Sequence, residues 1–349
     1  MRKTSNLLTL TLLVVPLACT DDTPTDTVTP TSGTTDTGDG DPTMGDGDPT
    51  GDGDPTTGDG DPTGDGDGDG DGDGDPFGCD NLMYPVNVVN AGGYNTIAAA
   101  VAAAPPDATI EICPGVYVEN LVVERDLTMR GAGVGATTLD GGGAGSVIFL
   151  DAVDLTLEDL TITGGVADQN PLGGQGTCGG GLAIEYSNGQ QVTISDCEFT
   201  QNEASHGGAI CSDGSGGNAD GDMLLTNVSI HDNVASIDGG GLFTYGDLEL
   251  VDVDIYDNQA TYYGGGIYLS YNTTSVTGGL VRENVSGEGG GAYLQSPAIL
   301  NVSNSDWGEG QMLENVPDDV GCYVDTFGFF GAMATFSCNV PMYDVCSCG

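Results

Sequence analysis

Apolar positions along the chain alternate in short paired runs. Val192-Thr-Ile194 precedes Cys197-Glu-Phe199, Met223-Leu-Leu225 precedes Val228-Ser-Ile230, and Leu248-Glu-Leu250 precedes Val253-Asp-Ile255. Period two places the alternate residues on one face of a strand. The slips at Ser195-Asp196, Asn227 and Asp252 turn the chain while keeping that face inward. Each pair ends in an Asn, a Gly-rich turn and a further apolar strand. The turns run from Asn202 to Gly207-Gly-Ala-Ile210, Asn233 to Gly239-Gly-Gly-Leu242, Asn258 to Gly264-Gly-Gly-Ile267, and Asn284 to Gly289-Gly-Gly-Ala292. The four Asn are 31, 25 and 26 residues apart. That spacing predicts a solenoid with three short strands per coil.

One such coil cannot bury its apolar face alone. Successive coils therefore stack and pair in parallel, about 4.8 Å apart, around a hydrophobic interior. The register runs outward to Leu155-Thr-Leu157 and Leu160-Thr-Ile162 on one side and to Leu300-Asn-Val302 and Trp307 on the other, and less regular opening coils are expected at Ile110-Glu-Ile112, Leu121 to Val123, Leu127-Thr-Met129 and Val147 to Leu150. The column Asn202, Asn233, Asn258 and Asn284 is read as a structural ladder. Asn tolerates the left-handed conformation of a tight corner, and its amide bonds the Asn stacked on it. Gly answers a positive φ or a close backbone approach at the opposite corner.

These repeats resemble the right-handed parallel β-helix superfamily that includes pectate lyases. Phe199-Thr-Gln-Asn202 with Gly207-Gly-Ala-Ile210 is similar to polymorphic outer-membrane-protein repeats, and the run from Thr96 through Pro114-Gly-Val-Tyr117 to Leu127-Thr-Met-Arg-Gly-Ala-Gly133 resembles that superfamily's N-terminal cap. The fold class expected is all-β: a right-handed parallel β-helix over residues 79–349, with a cap at its start and a Cys-rich end. One scaffold of this kind carries enzymes, adhesins and passive surface proteins.

Ahead of it lie two segments of other character. Arg2-Lys3 and the apolar run Leu7 to Leu17 have the form of a secretory signal, residues 1–18. Pro16-Leu-Ala-Cys19 resembles a bacterial lipobox, with Leu17 one place later than usual, and makes Cys19 the expected lipidation site. The alternative is an ordinary signal peptide and a freely secreted chain. Residues 19–78 are dominated by Gly-Asp-Pro-Thr repeats without Lys or Arg, a composition expected to stay disordered and extended as a tether. The linker has no Glu to complete a calcium loop of the EF-hand kind.

The chain holds 5 Lys and Arg against 53 Asp and Glu, a net charge of −48. After signal removal only Arg125, Arg130 and Arg282 are basic, which excludes nucleic acid as a partner. The partners expected are a membrane, through the N-terminal lipid, and a carbohydrate or another cell surface. The location expected is the outer membrane or cell surface. Ten Cys in an exported chain point to an oxidising compartment. Cys79 with Cys113 would pin the N-terminal end, Cys178 with Cys211 would bridge neighbouring coils, and Cys322, Cys338, Cys346 and Cys348 would close the C-terminal end. Cys197 lies in the inward column and is expected to be a buried free thiol.

Two columns carry candidate chemistry. The lyases of the superfamily imply carboxylates holding Ca²⁺ against a uronate with Arg or Lys as base, and the hydrolases imply Asp with His and Lys. This chain has no Lys beyond the signal. The nearest mixture is His231-Asp232, Tyr256-Asp257 and Arg282-Glu283, stacked one coil apart. The catalytic candidates are therefore Arg282, Asp257, Glu283 and His231. No cofactor is expected; the alternative is Ca²⁺, which Asp232, Asp257 and Glu283 would hold. Charge compensation on a solvated face explains the same column. Phe243, Tyr268 and Tyr293 alternate with the inward Leu242, Ile267 and Ala292, so they are expected to form an exposed aromatic ladder flanked by Tyr245 and Tyr271: either a candidate platform for glycans or, the reading preferred, stacked rings that stabilise neighbouring coils. The function expected is a non-enzymatic surface lipoprotein for adhesion or carbohydrate binding; the alternative is a surface polysaccharide lyase or hydrolase.

Overall fold

The computed structural model describes residues 77, 79, 83–167, 178–185, 189–213, 221–295, 298–308 and 314–323, with the backbone of 335–338 and 345–348. The signal, Cys19 and the linker to residue 76 lie outside these residues.

Alternation dictates the architecture. Strands pair with their counterparts one coil on into three parallel sheets. In the first sheet the inward column runs Ile110, Met129, Leu157, Ile194, Leu225, Leu250, Val276 and Val302. The second contributes Leu139, Ile162, Phe199, Ile230, Ile255 and Val281, and the third Ile148, Leu182, Ile210, Leu242, Ile267, Ala292 and Val320. All of these are buried in one continuous core. The molecule is a right-handed parallel β-helix with three strands per coil.

The N-terminal end is closed by two local devices. Val86–Val88 pairs antiparallel with Gly92–Tyr94 and Ala108–Ile112. The helix Ile97–Ala103 then lays Ile97, Ala100 and Val101 over the core. Its free N–H groups are satisfied by Thr96 Oγ1, which accepts from Ala99, and by the Glu119 carboxylate, which accepts from Ile97 at 3.0 Å and Ala98 at 2.8 Å. Cys79 and Cys113 form a disulfide at this end.

The corners differ from the sequence expectation in one respect. The left-handed residue precedes each ladder Asn: Gln201, Asp232, Asp257 and Glu283 have φ of 53 to 57°. The Asn itself continues inward. Its Nδ2 donates to the Oδ1 of the Asn one coil on, at 3.1 Å from Asn202 to Asn233, 3.0 Å from Asn233 to Asn258, and 3.0 Å from Asn258 to Asn284. The ladder runs one rung further than the repeats suggest, to Asn315, whose Nδ2 donates to Asp319. Its value is as a bonding group inside the core, because turning the chain at a tight corner falls to its neighbour.

Opposite, the first Gly of each run takes the positive φ, 66° at Gly239 and 64° at Gly264. The second Gly is excluded from being anything else by stacked backbone. A Cβ at Gly265 would lie 2.5 Å from Gly290 O and 2.6 Å from Val285 N. Between Asn and Gly the chain makes a fourth, short parallel sheet, Glu203–His206, Val234–Asp238 and Gln259–Ala260, each strand with one buried alanine. This arm was not expected from the alternation and decides the fate of the aromatic column. Among the described residues no helix is long and apolar enough to cross a membrane.

Candidate functional site

The outer face of the second sheet brings the candidate catalytic residues together. With Phe199, Ile230, Ile255 and Val281 inward, the next position of each strand must face out, and Thr200, His231, Tyr256 and Arg282 stack in one column. The parallel outer column holds Glu198, Ser229 and Asp254. His231 lies flat on Tyr256, ring centroids 4.8 Å apart and planes 8° from parallel. Both its nitrogens meet carboxylates: Nδ1 is 2.8 Å from Asp232 Oδ2, and Nε2 is 3.2 Å from Glu198 Oε1. Glu198 is held in turn by the Thr161 hydroxyl, which donates to Oε2 at 3.0 Å. Glu198 is a partner that the sequence reading missed; its place one position before Phe199, level with Ser229 and Asp254, was the available signal.

Arg282 sits 3.6 Å, Nε to Oε2, from Glu283, and that Nε is buried without a hydrogen-bond acceptor. Burial pushes the neighbouring Asp254 carboxyl up, with the Leu280 backbone N–H and then Arg282 pulling back. Asp257 is exposed at its corner. The arrangement is therefore a compensated surface: one imidazole clamped by two carboxylates, and one guanidinium beside a third. Among the described residues no group of three or more His, Cys, Asp or Glu side chains is arranged to hold a metal ion, Asp232, Asp257 and Glu283 included.

Beside this column a cleft of about 320 Å³ runs along the corner between the first and second sheets, lined by Asp159, Asp196, Asn227, Asp252 and Asp254. Burial, then the neighbouring Asp196 and Glu158, push the Asp159 carboxyl up, with Arg130 pulling back. Cys197 lines the same cleft from within; it is a free, buried thiol pushed up to about 12 by burial and so is inert as a nucleophile.

The aromatic platform is corrected by the structure. Phe243, Tyr268 and Tyr293 do stack in an outward column of the third sheet, centroids 4.7 and 5.6 Å apart. They point away from the main core yet are only 7, 6 and 4% exposed, because the arm folds back over them. His206 meets Phe243 edge-on at 4.9 Å, Tyr263 covers Tyr293 at 4.4 Å, and Cys178 is disulfide-bonded to Cys211 at the head of the row. The Tyr268 hydroxyl is used internally, donating to Gln295 Oε1 at 2.7 Å. This is a second, smaller core. Tyr268→Leu is expected to lower stability by about 2 kcal/mol, measured by denaturant midpoint, with ligand binding unaffected. The most accessible rings among the described residues are Tyr262 at 55% and Tyr271 at 51%, the latter leaning on Tyr245. Cys322 is also disulfide-bonded, while the side chains of Cys338, Cys346 and Cys348 lie outside the described residues.

No protein-family model and no curated protein matches the chain. Among solved structures it is similar to the pectin methylesterase from Yersinia enterocolitica, at 13% identity over 70% of this chain and 90% of that one with a TM-score of 0.34. PemA, the pectin methylesterase of Erwinia chrysanthemi, gives 11% over 73 and 89% with 0.35. The deglycosylated Aspergillus niger pectin methylesterase gives 15% over 72 and 82% with 0.32. The strand pairing of this chain defines its class by itself, a right-handed parallel β-helix. The likeness to polymorphic outer-membrane-protein repeats stays one of sequence pattern.

Proposed function

We propose that the chain is a non-enzymatic, lipid-tethered surface protein that holds a rigid β-helix away from the membrane for adhesion or carbohydrate contact. The observation carrying this reading is the saturation of His231 by Glu198 and Asp232, with Arg282 beside Glu283. A lyase or hydrolase needs a base within reach of substrate and partly unprotonated. Here His231 spends both ring nitrogens on neighbouring carboxylates, and Arg282 lies against Glu283. Tyr262 and Tyr271 are the rings placed to meet a sugar or a second surface.

The tether follows from charge. Anionic headgroups repel so acidic a chain, so a lipid on Cys19 supplies the attachment that electrostatics would not. Cys19→Ser is expected to release a folded protein into the medium, and a fatty-acid analogue should label the parent only. A parent that takes up no label and fractionates as freely secreted contradicts the anchor.

A further inference from the structure

Asp238 ends the arm strand Val234–Asp238, in a column with His206 on one side and Tyr263 and then Glu288 on the other. Its side chain is 13% exposed, and Oδ1 is buried without a hydrogen-bond partner. Oδ2 lies 3.8 Å from His206 Nε2, too far for a hydrogen bond. A buried carboxylate oxygen left unmatched destabilises a fold, so its presence in a packed row calls for a reason.

The surrounding groups supply one. From the preceding arm strand comes His206, the one cationisable side chain beside it among the described residues. From the next coil comes Tyr263, whose backbone bonds the carboxylate, with Glu288 beyond it. Beneath, on the third sheet, lies Tyr268, with Tyr245 and Tyr293 close by. Burial pushes the Asp238 carboxyl up to about 6, against the Tyr263 hydrogen bond. Burial, then Asp238, pushes the Tyr268 phenol well above its ordinary range.

We propose that the His206–Asp238 pair makes closure of the arm over the aromatic row proton-dependent, the arm tightening as the pH falls from 8 to 5. The sign follows from linkage. A carboxyl raised in the folded state holds a proton that the opened segment releases. Its stabilisation is fully present below the ordinary carboxylate value of about 4 and is lost as the pH rises through the folded one. Protonation of His206 acts in the same direction while Asp238 is ionised, since an imidazolium beside the carboxylate forms an ion pair that opening breaks. Short segments open locally at lower cost than the whole fold, so the loss is expected in the arm before the coil stack responds.

Amide hydrogen exchange on the full chain, corrected for the intrinsic pH dependence, tests this at Val234–Asp238 and residues 260–263. Protection in the parent should fall about tenfold or more between pH 5 and 8. Asp238→Asn, which keeps the shape and removes the charge, should give high protection at both. Equal protection at the two pH values in the parent, or an unchanged pH dependence in Asp238→Asn, overturns the proposal. A carboxyl ¹³C titration of Asp238 in the parent gives an answer without mutation: a midpoint near 6 supports it and one near 4 overturns it.

Discussion

Asn258→Ala is expected to destabilise the protein by about 3–5 kcal/mol, well above the effect of removing one ordinary hydrogen bond. The side chain is 1% exposed and engaged on every side. Its Nδ2 donates to Ile230 O at 2.8 Å, Tyr256 O at 3.0 Å and Asn284 Oδ1 at 3.0 Å, while its Oδ1 accepts from Asn233 N and Nδ2 at 3.1 and 3.0 Å. Alanine leaves those carbonyls and the Asn233 donors unmatched inside the core, and unmade bonds there cost more than made ones gain. Asn258→Asp is a useful companion, since it keeps an acceptor and loses the donor. Denaturant midpoints near the parent's for both would show that the ladder does not hold the coils.

Gly265→Ala is expected to be as damaging through the opposite cause, about 3 kcal/mol or more of overpacking. The added Cβ meets Gly290 O, Val285 N and Val285 C at 2.5 to 2.7 Å, all of them backbone of the next coil. No flexible side chain is present to give way, so the two coils must part. The same change at Gly143, where the space around a Cβ is open, carries only the conformational penalty of its φ of 70°. A comparison of the two variants by denaturation separates steric stacking from backbone conformation, and equal losses would argue against the stacking account.

The solenoid was legible because its signals are redundant. Alternation, Asn spacing and Gly runs each specify the same coil, so Leu155, Ile194 and Leu250 fall inward without further information. Asn315 was missed although Glu283-Asn284-Val285 recurs as Glu314-Asn315-Val316, because the adjoining Gly run is absent there. The arm was missed for a different reason. Its trace is one small residue, Ala204, Ala235 and Ala260, two places after each Asn, and a single apolar position sets no period. Without the arm, Phe243, Tyr268 and Tyr293 are correctly placed outward and wrongly left in solvent. The His231 clamp was half legible: Asp232 is adjacent in sequence, whereas Glu198, 33 residues away, reaches the ring only through the lateral pairing of neighbouring coils.

The reading that the outer column compensates charge and performs no chemistry is tested most directly by turnover. Purified protein incubated with pectate, methyl-esterified pectin and alginate, with and without Ca²⁺, is followed for unsaturated products, new reducing ends and released methanol. The account predicts none of the three above a no-protein control. Product formation by the parent that disappears in His231→Ala or Arg282→Ala would contradict it and make the outer face of the second sheet an active site.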